Sequence, residues 1–542
     1  MARSTALDAL TGGAMLATAT SVPAVLGWFD AKAEFIRLSH DLVRQLSERR
    51  SGLSRYDRTE RLAAAHQVLV VTAFFEALAE ADLPFRLADL ELTGQEQFGI
   101  VGADSFVGPQ SLVSLLLDHH VPLPTPQRSQ QAYAIELAAR YRAVAERLGG
   151  FVQGLAVWER LPGVDQARFV EVLRELPDRA VRRQGELTAR LAVDFPEVAY
   201  WAGLREHEGT RDEVRALAAS LATVETTLTA ISTGRAPDQR RTALARAYRA
   251  ALDRPIVEAG DVPPGLSVPS LGAAYQPPLC RIAELGSGGR PSDESWWAEA
   301  PVRDDLAEFL TGHLTGPGAT RTPLLVLGQP GSGKSVLTKV LAARLPAADF
   351  LPVRVLLRDV PAAADLQDQI EYALRQATGE RLDWPALVRS AGDALPVVLL
   401  DGFDELLQAT GVSQTDYLRR VAAFQRREAD QGRPVVVIVT SRTSVADRAE
   451  SPAETVALRL EPFDAARVDA WLAVWNADNA GHFAARGVAP LDAATVARGC
   501  GPGTWPRPSR MSCAGSRWSP SRCSTAPPSG SPRRTWRPTW PP

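Results

Sequence analysis

A run of small and cationic residues in the middle of the chain has the composition of a phosphate-binding loop. It fits the pattern G-x-x-x-x-G-K-[ST] at every fixed position and reads Gly328-Gln329-Pro330-Gly331-Ser332-Gly333-Lys334-Ser335. Glycines let backbone N–H groups point at phosphate oxygens, and a following helix adds the positive end of its dipole. In this pattern Lys334 contacts the β and γ phosphates, and Ser335 offers its hydroxyl to Mg²⁺. The run therefore predicts a site for a nucleoside triphosphate rather than a glycine-rich turn with an incidental lysine.

The segments on either side of the loop are the elements that this chemistry needs. An apolar run at 324–327 predicts a buried strand before the loop, and the residues from 336 to 345 have the pattern of a helix after it. A second apolar run, 397–400, is typical of a buried parallel strand. We therefore expect an open α/β sheet whose ligand lies at the carboxyl ends of its strands.

Three carboxylates follow the second of these strands. Asp401 comes directly after it and is the candidate for holding Mg²⁺ together with Ser335. Asp404 and Glu405 are candidates for orienting or deprotonating an attacking water. The alternative is that these acids only begin a helix, where negative charge suits the dipole.

A third apolar strand, at 435–439, ends in Thr440-Ser441-Arg442. We expect its tip to lie beside the other two. An arginine there can detect or stabilise charge on the γ-phosphate, so Arg442 is the candidate for that role. A solvated arginine at a strand end is the alternative.

These motifs together resemble a NACHT module, which belongs to the STAND class of signal-transduction ATPases. The resemblance spans roughly residues 300 to 485. Its motifs are the loop, the box Asp401-Gly402-Phe403-Asp404-Glu405 with a small residue after its first Asp, Thr440-Ser441-Arg442, Leu458-Arg459-Leu460-Glu461-Pro462-Phe463, Trp471-Leu472 and Trp475-Asn476. It implies an α/β P-loop NTPase with a parallel sheet flanked by helices, ATP or ADP with Mg²⁺ as ligands, self-association through this module, and a role in bacterial defence.

The composition is that of a globular chain with no reason to bind nucleic acid. Of the 542 residues, 45% are hydrophobic and 23% charged, and the net charge is −3. Three of the four cysteines, Cys500, Cys513 and Cys523, lie at or near the carboxyl-terminal end, and only Cys280 lies in the body of the chain. Because neither a disulfide framework nor a zinc spacing is present, we expect a reducing, cytoplasmic setting.

The amino-terminal half has helical periodicity and carries no catalytic constellation. Apolar residues recur at helical spacing in Asp30 to Glu48, Tyr56 to Ala81, Ser129 to Phe151, Val164 to Leu176, Asp178 to Val193, Thr210 to Ser232 and Asp238 to Leu252. We therefore expect an all-α domain. Residues 58–66 and 73–76 give it a weaker resemblance to the helical domain that precedes NACHT in many bacterial members of the family.

The predicted boundaries follow changes in composition. Residues 1–262 form the helical domain, 263–300 a linker rich in Pro, Gly and Ser, and 301–485 the NACHT-like domain. Trp296-Trp297 is predicted to be a packing anchor within that linker. Residues 486–542 are a tail whose part from 501 onwards holds seven Arg and no acid. Either this tail is disordered, or the reading frame was lost near residue 500 and the true continuation is missing; we favour the second interpretation.

A stretch without charge at residues 10–29 raises the question of a membrane. Its length would just span a bilayer, but Thr, Gly, Ser and Pro dilute its apolarity, so a buried or interfacial helix-turn-helix is favoured. A cleaved signal peptide is the remaining alternative.

Three functions are compatible with these patterns. A nucleotide switch would hold a closed monomer with ADP and assemble with ATP after sensing a trigger that the residues do not identify. The alternatives are an ATPase with steady turnover, and a nonenzymatic scaffold that nucleotide only stabilises.

Overall fold

The structure is a computed structural model that describes residues 54–85, 121–203, 222–232, 236–256, 265–286, 289–410, 415–494 and 496. The predictions for the stretch at 10–29, the helix at 30–48 and the tail from 501 onwards lie outside these residues. Contacts group the chain into two compact units, one of 1–251 with 277–462 and one of 252–276 with 463–542.

The amino-terminal part of the first unit is helical, as its periodicity predicts. Its helices are α1 Arg55–Glu80, α2 Gln130–Gln153, α3 Ala156–Arg160, α4 Gly163–Asp194, α5 Pro196–Ala202, α6 Ala222–Ala230 and α7 Gln239–Leu252. The bounds of α1, α2 and α7 lie within two residues of the predicted ones. Of the predicted helix at 210–232, the described residues form only α6.

Aromatic side chains from three helices form the core of this helical half. Phe74 of α1, Tyr141 of α2 and Phe169 of α4 are all fully buried, and the Tyr141 hydroxyl donates to the carbonyl of Val70 at 2.8 Å. Among the described residues, α1 alone is long and apolar enough to cross a membrane. However, 83% of its most apolar window is buried inside the protein, as in the core helix of a bundle.

Helix α4 corrects one sequence-based expectation. Two helices separated by Pro177 were predicted, whereas a single helix passes through this proline. Leu176 and Ala180 on either side of Pro177 are both fully buried in the same core. This shared apolar face stabilises the helix across the missing hydrogen bond that a proline imposes.

A six-stranded sheet forms the other part of the first unit. Its strands are β1 Cys280–Leu285, β2 Leu324–Gly328, β3 Phe350–Leu356, β4 Leu395–Asp401, β5 Val436–Arg442 and β6 Thr455–Leu460, in the spatial order β1-β6-β2-β5-β4-β3. The helices of this half are α8 Leu306–Thr315, α9 Lys334–Arg344, α10 Leu366–Thr378, α11 Trp384–Ala391, α12 Phe403–Thr410 and α13 Tyr417–Asp430. Strands β2 to β6 run parallel to one another. In the spatial order, β5 lies between β2, which leads into the loop, and β4, which ends in Asp401.

Strand β1 lies inside the segment 263–300 that composition assigned to a linker. It pairs antiparallel with β6, so the sheet is mixed rather than parallel throughout. The strand is short, and surrounding Pro and Gly residues conceal its apolar positions in the sequence. Trp297 is fully buried in the core of the sheet half, together with Leu285 of β1. Its indole N–H donates to the carbonyl of Pro291 at 2.9 Å. This tryptophan is thus a packing residue of the sheet half.

Helix α7 of the helical half packs directly on the sheet. The Tyr248 hydroxyl accepts the backbone N–H of Arg354 on the edge strand β3 at 3.0 Å. Arg241 donates to the carbonyls of Ala347 and Ala348, which follow α9, at 3.0 and 3.2 Å. Helix α7 therefore covers a sheet edge that would otherwise present unpaired backbone groups.

A buried charge cluster lies among the helices of the amino-terminal half. The guanidinium of Arg58 makes a two-point contact with the carboxylate of Glu197, at 2.6 Å and 3.0 Å, and both side chains are at most 2% exposed. Arg55 is buried beside them and donates its backbone N–H to the carbonyl of Asp393 in the sheet half at 3.2 Å.

The second unit is held by the side chain of Asn479, which lies between α14 Ala465–Asp478 and α15 Ala480–Arg486. Its amide accepts from the N–H of Ser267 at 2.7 Å and donates to the carbonyl of the same residue at 2.9 Å. Residues 265–276 were assigned to a linker and residues 463–485 to the NACHT-like domain, but these two segments contact each other in this separate unit. The pairing joins segments about two hundred residues apart, which composition alone does not reveal.

Two buried histidines predict that the folded protein loses stability in mild acid. Burial lowers the pKa of both His66 and His313 from 6.5 to about 4. Between about pH 6.5 and 4 the unfolded chain binds protons that the folded chain does not, so the free energy of unfolding falls as the pH is lowered. We expect each histidine to contribute up to about 1.4 kcal/mol per pH unit in this window. Urea unfolding between about pH 7 and pH 4.5 measures this slope.

The variants His66→Gln and His313→Gln test the assignment, because each removes one of the two titrating groups. Each variant should have a smaller slope than the parent protein, whatever its absolute stability. An unchanged slope in both variants would mean that these histidines bind protons equally in the folded and the unfolded protein.

Candidate functional site

The phosphate-loop pattern forms a tight turn between strand β2 and helix α9. Gly331 and Gly333 have φ angles of +84° and +92°, which a residue with a side chain rarely adopts. A Cβ at Gly328 would overlap the side chain of Ser332. The backbone path therefore favours glycine at positions 331 and 333, and the close approach of Ser332 favours it at 328. The loop ends at the amino terminus of a helix of eleven residues.

Lys334 is held against the loop itself. Its ammonium group donates to the carbonyls of Gly328 and Gln329 at 2.9 and 3.0 Å. Burial lowers the pKa of Lys334, and the carboxylate of Asp404 opposes this shift. The ammonium group is partly desolvated and bonded to neutral carbonyls. Its interaction energy would become more favourable if an anionic oxygen replaced them, because hydrogen bonds between two charged groups are stronger.

Asp401 lies at the tip of β4, where its carboxylate joins two other elements. Its Oδ1 accepts from the hydroxyl of Ser335 at 3.0 Å and from that of Thr440 at 2.8 Å. The Thr440 hydroxyl in turn accepts the N–H of Gly402 at 2.9 Å. Asp401 is only 3% exposed. The structure therefore brings the predicted metal ligands Ser335 and Asp401 into direct contact.

Arg442 and Asp404 form an ion pair at the same edge of the sheet. Arg442 Nε lies 2.6 Å from Asp404 Oδ2, and Arg442 is in register with Gly328 of the neighbouring strand. Asp404 is buried, whereas about a third of the Arg442 side chain is exposed. The carboxyl group of Glu405 turns back toward Gly402. All three residues assigned to chemistry thus lie beside the loop, but Asp404 faces an arginine rather than open solvent.

Arg354 is a member of this site that sequence reasoning missed. It lies in β3, its Nη2 donates to Asp401 Oδ2, and its Nε donates to the hydroxyl of Thr338 at 2.9 Å. No motif includes it. The one available signal is a charged residue inside an otherwise apolar strand, Phe350–Leu356.

The donor set suits Mg²⁺ only if phosphate oxygens complete it. Within the described part of the chain, no group of three or more His, Cys, Asp and Glu side chains could hold a metal ion. Ser335 and Asp401 supply two oxygens, and Mg²⁺ is commonly bound by one or two carboxylates together with substrate phosphates. The hydroxyls of Ser332 and Ser441 near the same tips are buried without a hydrogen-bond partner. These residues would fit an Mg²⁺ ion whose other ligands are phosphate oxygens.

Comparison with known families identifies the amino-terminal part of the chain. Residues 2–206 match the family model NACHT N-terminal Helical domain 7. No curated protein matches the chain. The match is consistent with a NACHT-domain protein that carries an amino-terminal helical domain.

The NACHT N-terminal helical domain contacts the sheet half at α8. The hydroxyl of Thr59 on α1 donates to the carbonyl of Thr315 at 3.0 Å, and the indole of Trp201 on α5 donates to the hydroxyl of Thr315 at 3.1 Å. Helix α8 is followed by β2 and the loop, so the helical domain contacts the segment that leads into the candidate site. The matched residues include both Thr59 and Trp201.

The backbone at the tip of β4 predicts a measurable effect of one methyl group. Gly402 has a φ angle of +90°, and a Cβ there would lie 3.1 Å from the carboxyl group of Glu405. We expect Gly402→Ala to lower the free energy of unfolding by about 1–2 kcal/mol, because the left-handed conformation is strained for alanine. Urea unfolding measures the change.

Gly318→Ala is the matched control for this variant. Gly318 lies in a turn of the same half, has no positive φ angle and has nothing within 4 Å of a built Cβ. Its substitution should change stability by less than about 0.5 kcal/mol. Equal stability of the two variants would contradict the strain assigned to Gly402.

Proposed function

We propose that this NACHT protein is a STAND-type switch that binds ATP or ADP with Mg²⁺ at residues 328–335 and changes its assembly state with the nucleotide. One observation carries the proposal. The tips of three adjacent strands, β2, β5 and β4, bring the loop, Arg442 and Asp401 to a single edge of the sheet.

The loop and its helix would hold the phosphates. Helix α9 begins at Lys334, so its first N–H groups and its dipole face the loop. The ammonium of Lys334 would exchange its two carbonyl acceptors for phosphate oxygens. Each new contact between charged groups contributes more than the neutral bond it replaces.

Ser335 and Asp401 are the residues that would hold Mg²⁺. When bound, the ion would neutralise phosphate charge and join the nucleotide to β4. Because Ser335 donates to Asp401 Oδ1, the two oxygens lie side by side at the end of the loop. Little reorganisation of these two side chains would then accompany binding.

Arg442 and Asp404 are the groups that could distinguish ATP from ADP. The arginine is paired with a buried carboxylate, and a terminal phosphoryl group offers it a competing anion. A switch needs such differential contacts, and a nearly complete shift between two states needs about 5.5 kcal/mol of difference in binding free energy. The exchange of this ion pair, together with Lys334, would supply part of that difference.

The family resemblance supports the wider setting of the proposal. Self-association through the NTPase module would bring several helical domains together after a trigger of unidentified chemistry. Bacterial defence is the role that the resemblance suggests for such an assembly.

Removal of the Lys334 ammonium tests nucleotide binding. We expect Lys334→Ala to weaken the affinity for Mg²⁺-ADP by about 10- to 100-fold, since a charge-assisted contact contributes about 1.5–3 kcal/mol. Titration with a fluorescent ADP derivative measures the Kd. Lys339→Ala on the exposed face of the same helix is the matched control and should bind as the parent does. No Mg²⁺-dependent binding by the parent protein would refute the proposal.

Assembly and turnover separate the switch from its two alternatives. We expect a larger particle by light scattering with ATP than with ADP, and hydrolysis slow enough for that particle to persist. Fast hydrolysis without a change in size would instead favour an ATPase with steady turnover. A Lys334→Ala protein that assembles normally without nucleotide would favour the scaffold.

A further inference from the structure

Arg354 is the only charged residue of strand β3, and its side chain is 12% exposed. It points at two polar groups that are more deeply buried. These are the carboxylate of Asp401 and the hydroxyl of Thr338, which belong to residues that are 3% and 1% exposed. A cation in such a place is costly unless its donors are paired, so its contacts define its role.

The contacts of Arg354 close a ring of hydrogen bonds. Its Nη2 donates to Asp401 Oδ2, and its Nε donates to Thr338 Oγ1 at 2.9 Å. The Thr338 hydroxyl donates to the carbonyl of Ser335 at 3.0 Å, and the Ser335 hydroxyl donates to Asp401 Oδ1 at 3.0 Å. The two oxygens of Asp401 therefore have different partners: Oδ2 is held by the arginine, and Oδ1 accepts from Ser335 and Thr440.

We propose that Arg354 is a positioning residue for Mg²⁺-nucleotide binding: its planar guanidinium fixes the rotation of the Asp401 carboxylate so that Oδ1 stays on the Ser335 side. This inference rests on the proposed function of the same site. The two-point geometry is specific to arginine, because a lysine ammonium can reach either acceptor but does not offer two donors in a fixed plane. Groups that orient a metal ligand typically change metal affinity by about 10- to 100-fold when removed.

Orientation and charge have opposite consequences at this position. If Arg354 acted only through its charge, its removal would leave the negative charge of Asp401 uncompensated and strengthen the attraction for Mg²⁺. If it acts by orientation, loosening the guanidinium weakens the Mg²⁺-dependent part of nucleotide binding even when the charge is kept. Two variants keep the charge and break the two-point contact: Thr338→Val and Arg354→Lys.

The experiment measures the Kd of a fluorescent ADP derivative in Mg²⁺ and in EDTA for each purified full-length protein. The ratio of the two values is the gain that the ion provides. We expect this gain to fall about tenfold in both Thr338→Val and Arg354→Lys. The Kd in EDTA should stay within about twofold of the parent value, because Lys334 and the loop backbone are unchanged.

Thr311→Val is the matched control. Thr311 is as buried as Thr338, and its hydroxyl donates one helical turn back, to the carbonyl of Ala307 at 2.9 Å, without contacting the site. This variant should leave the Mg²⁺ gain unchanged, because the hydrogen bond that it loses lies within helix α8, outside the site. Circular dichroism and urea unfolding establish that each variant is folded, and Thr338→Val, which removes no charge, carries the test if Arg354→Lys does not fold.

The outcomes separate this inference from the function on which it rests. If the parent protein shows no gain from Mg²⁺, both the proposed function and the role of Arg354 are refuted. A parent with a clear gain that Thr338→Val leaves unchanged or increases overturns the role of Arg354 alone. A variant whose Kd rises equally in Mg²⁺ and in EDTA also overturns it, because the defect would then lie in the loop.

Discussion

The buried carboxylate of Asp401 is the interaction on which the organisation of the site depends. A negative charge that is 3% exposed is stable only with several donors around it. Here the donors come from three separate elements, namely Ser335 on α9, Thr440 on β5 and Arg354 on β3. Strand β4 with its two neighbouring segments and the helix after the loop are therefore fixed with respect to one another. Removing one donor leaves the others with an incompletely paired charge, so the four elements are energetically coupled.

Much of this architecture could be predicted from local sequence. The glycines of the loop, the apolar runs of β2, β4 and β5, and the polar residues that end them have short-range signals, and the strands are where those signals indicate. Parallel strands then bring their carboxyl ends to one edge. The contact between Ser335 and Asp401 follows from that geometry alone.

The features that were missed depend on contacts distant in sequence. Arg354 looks like an unsuitable residue in an apolar strand until Asp401, 47 positions later, is placed beside it. Strand β1 is recognisable only when β6 lies against it. Helix α4 continues through Pro177 because α1 and α2 bury both of its halves. In each case tertiary packing outweighs the local preference of the sequence. A pattern of neighbouring residues does not reveal such packing.

The hydroxyl of Tyr248 has a consequence for dividing the protein into pieces. It satisfies an outward backbone N–H of Arg354 on the edge strand, while Leu244 of the same helix is buried in the core of the sheet. A fragment that starts after α7 would lose both the Tyr248 hydrogen bond and the packing of Leu244. The backbone N–H of Arg354 would then have no acceptor, which costs about 1–3 kcal/mol if water does not reach it. The fragment would also present a bare strand edge, which invites aggregation through edge-to-edge pairing. An autonomous fragment of the sheet half must therefore begin before residue 239, well upstream of the phosphate loop.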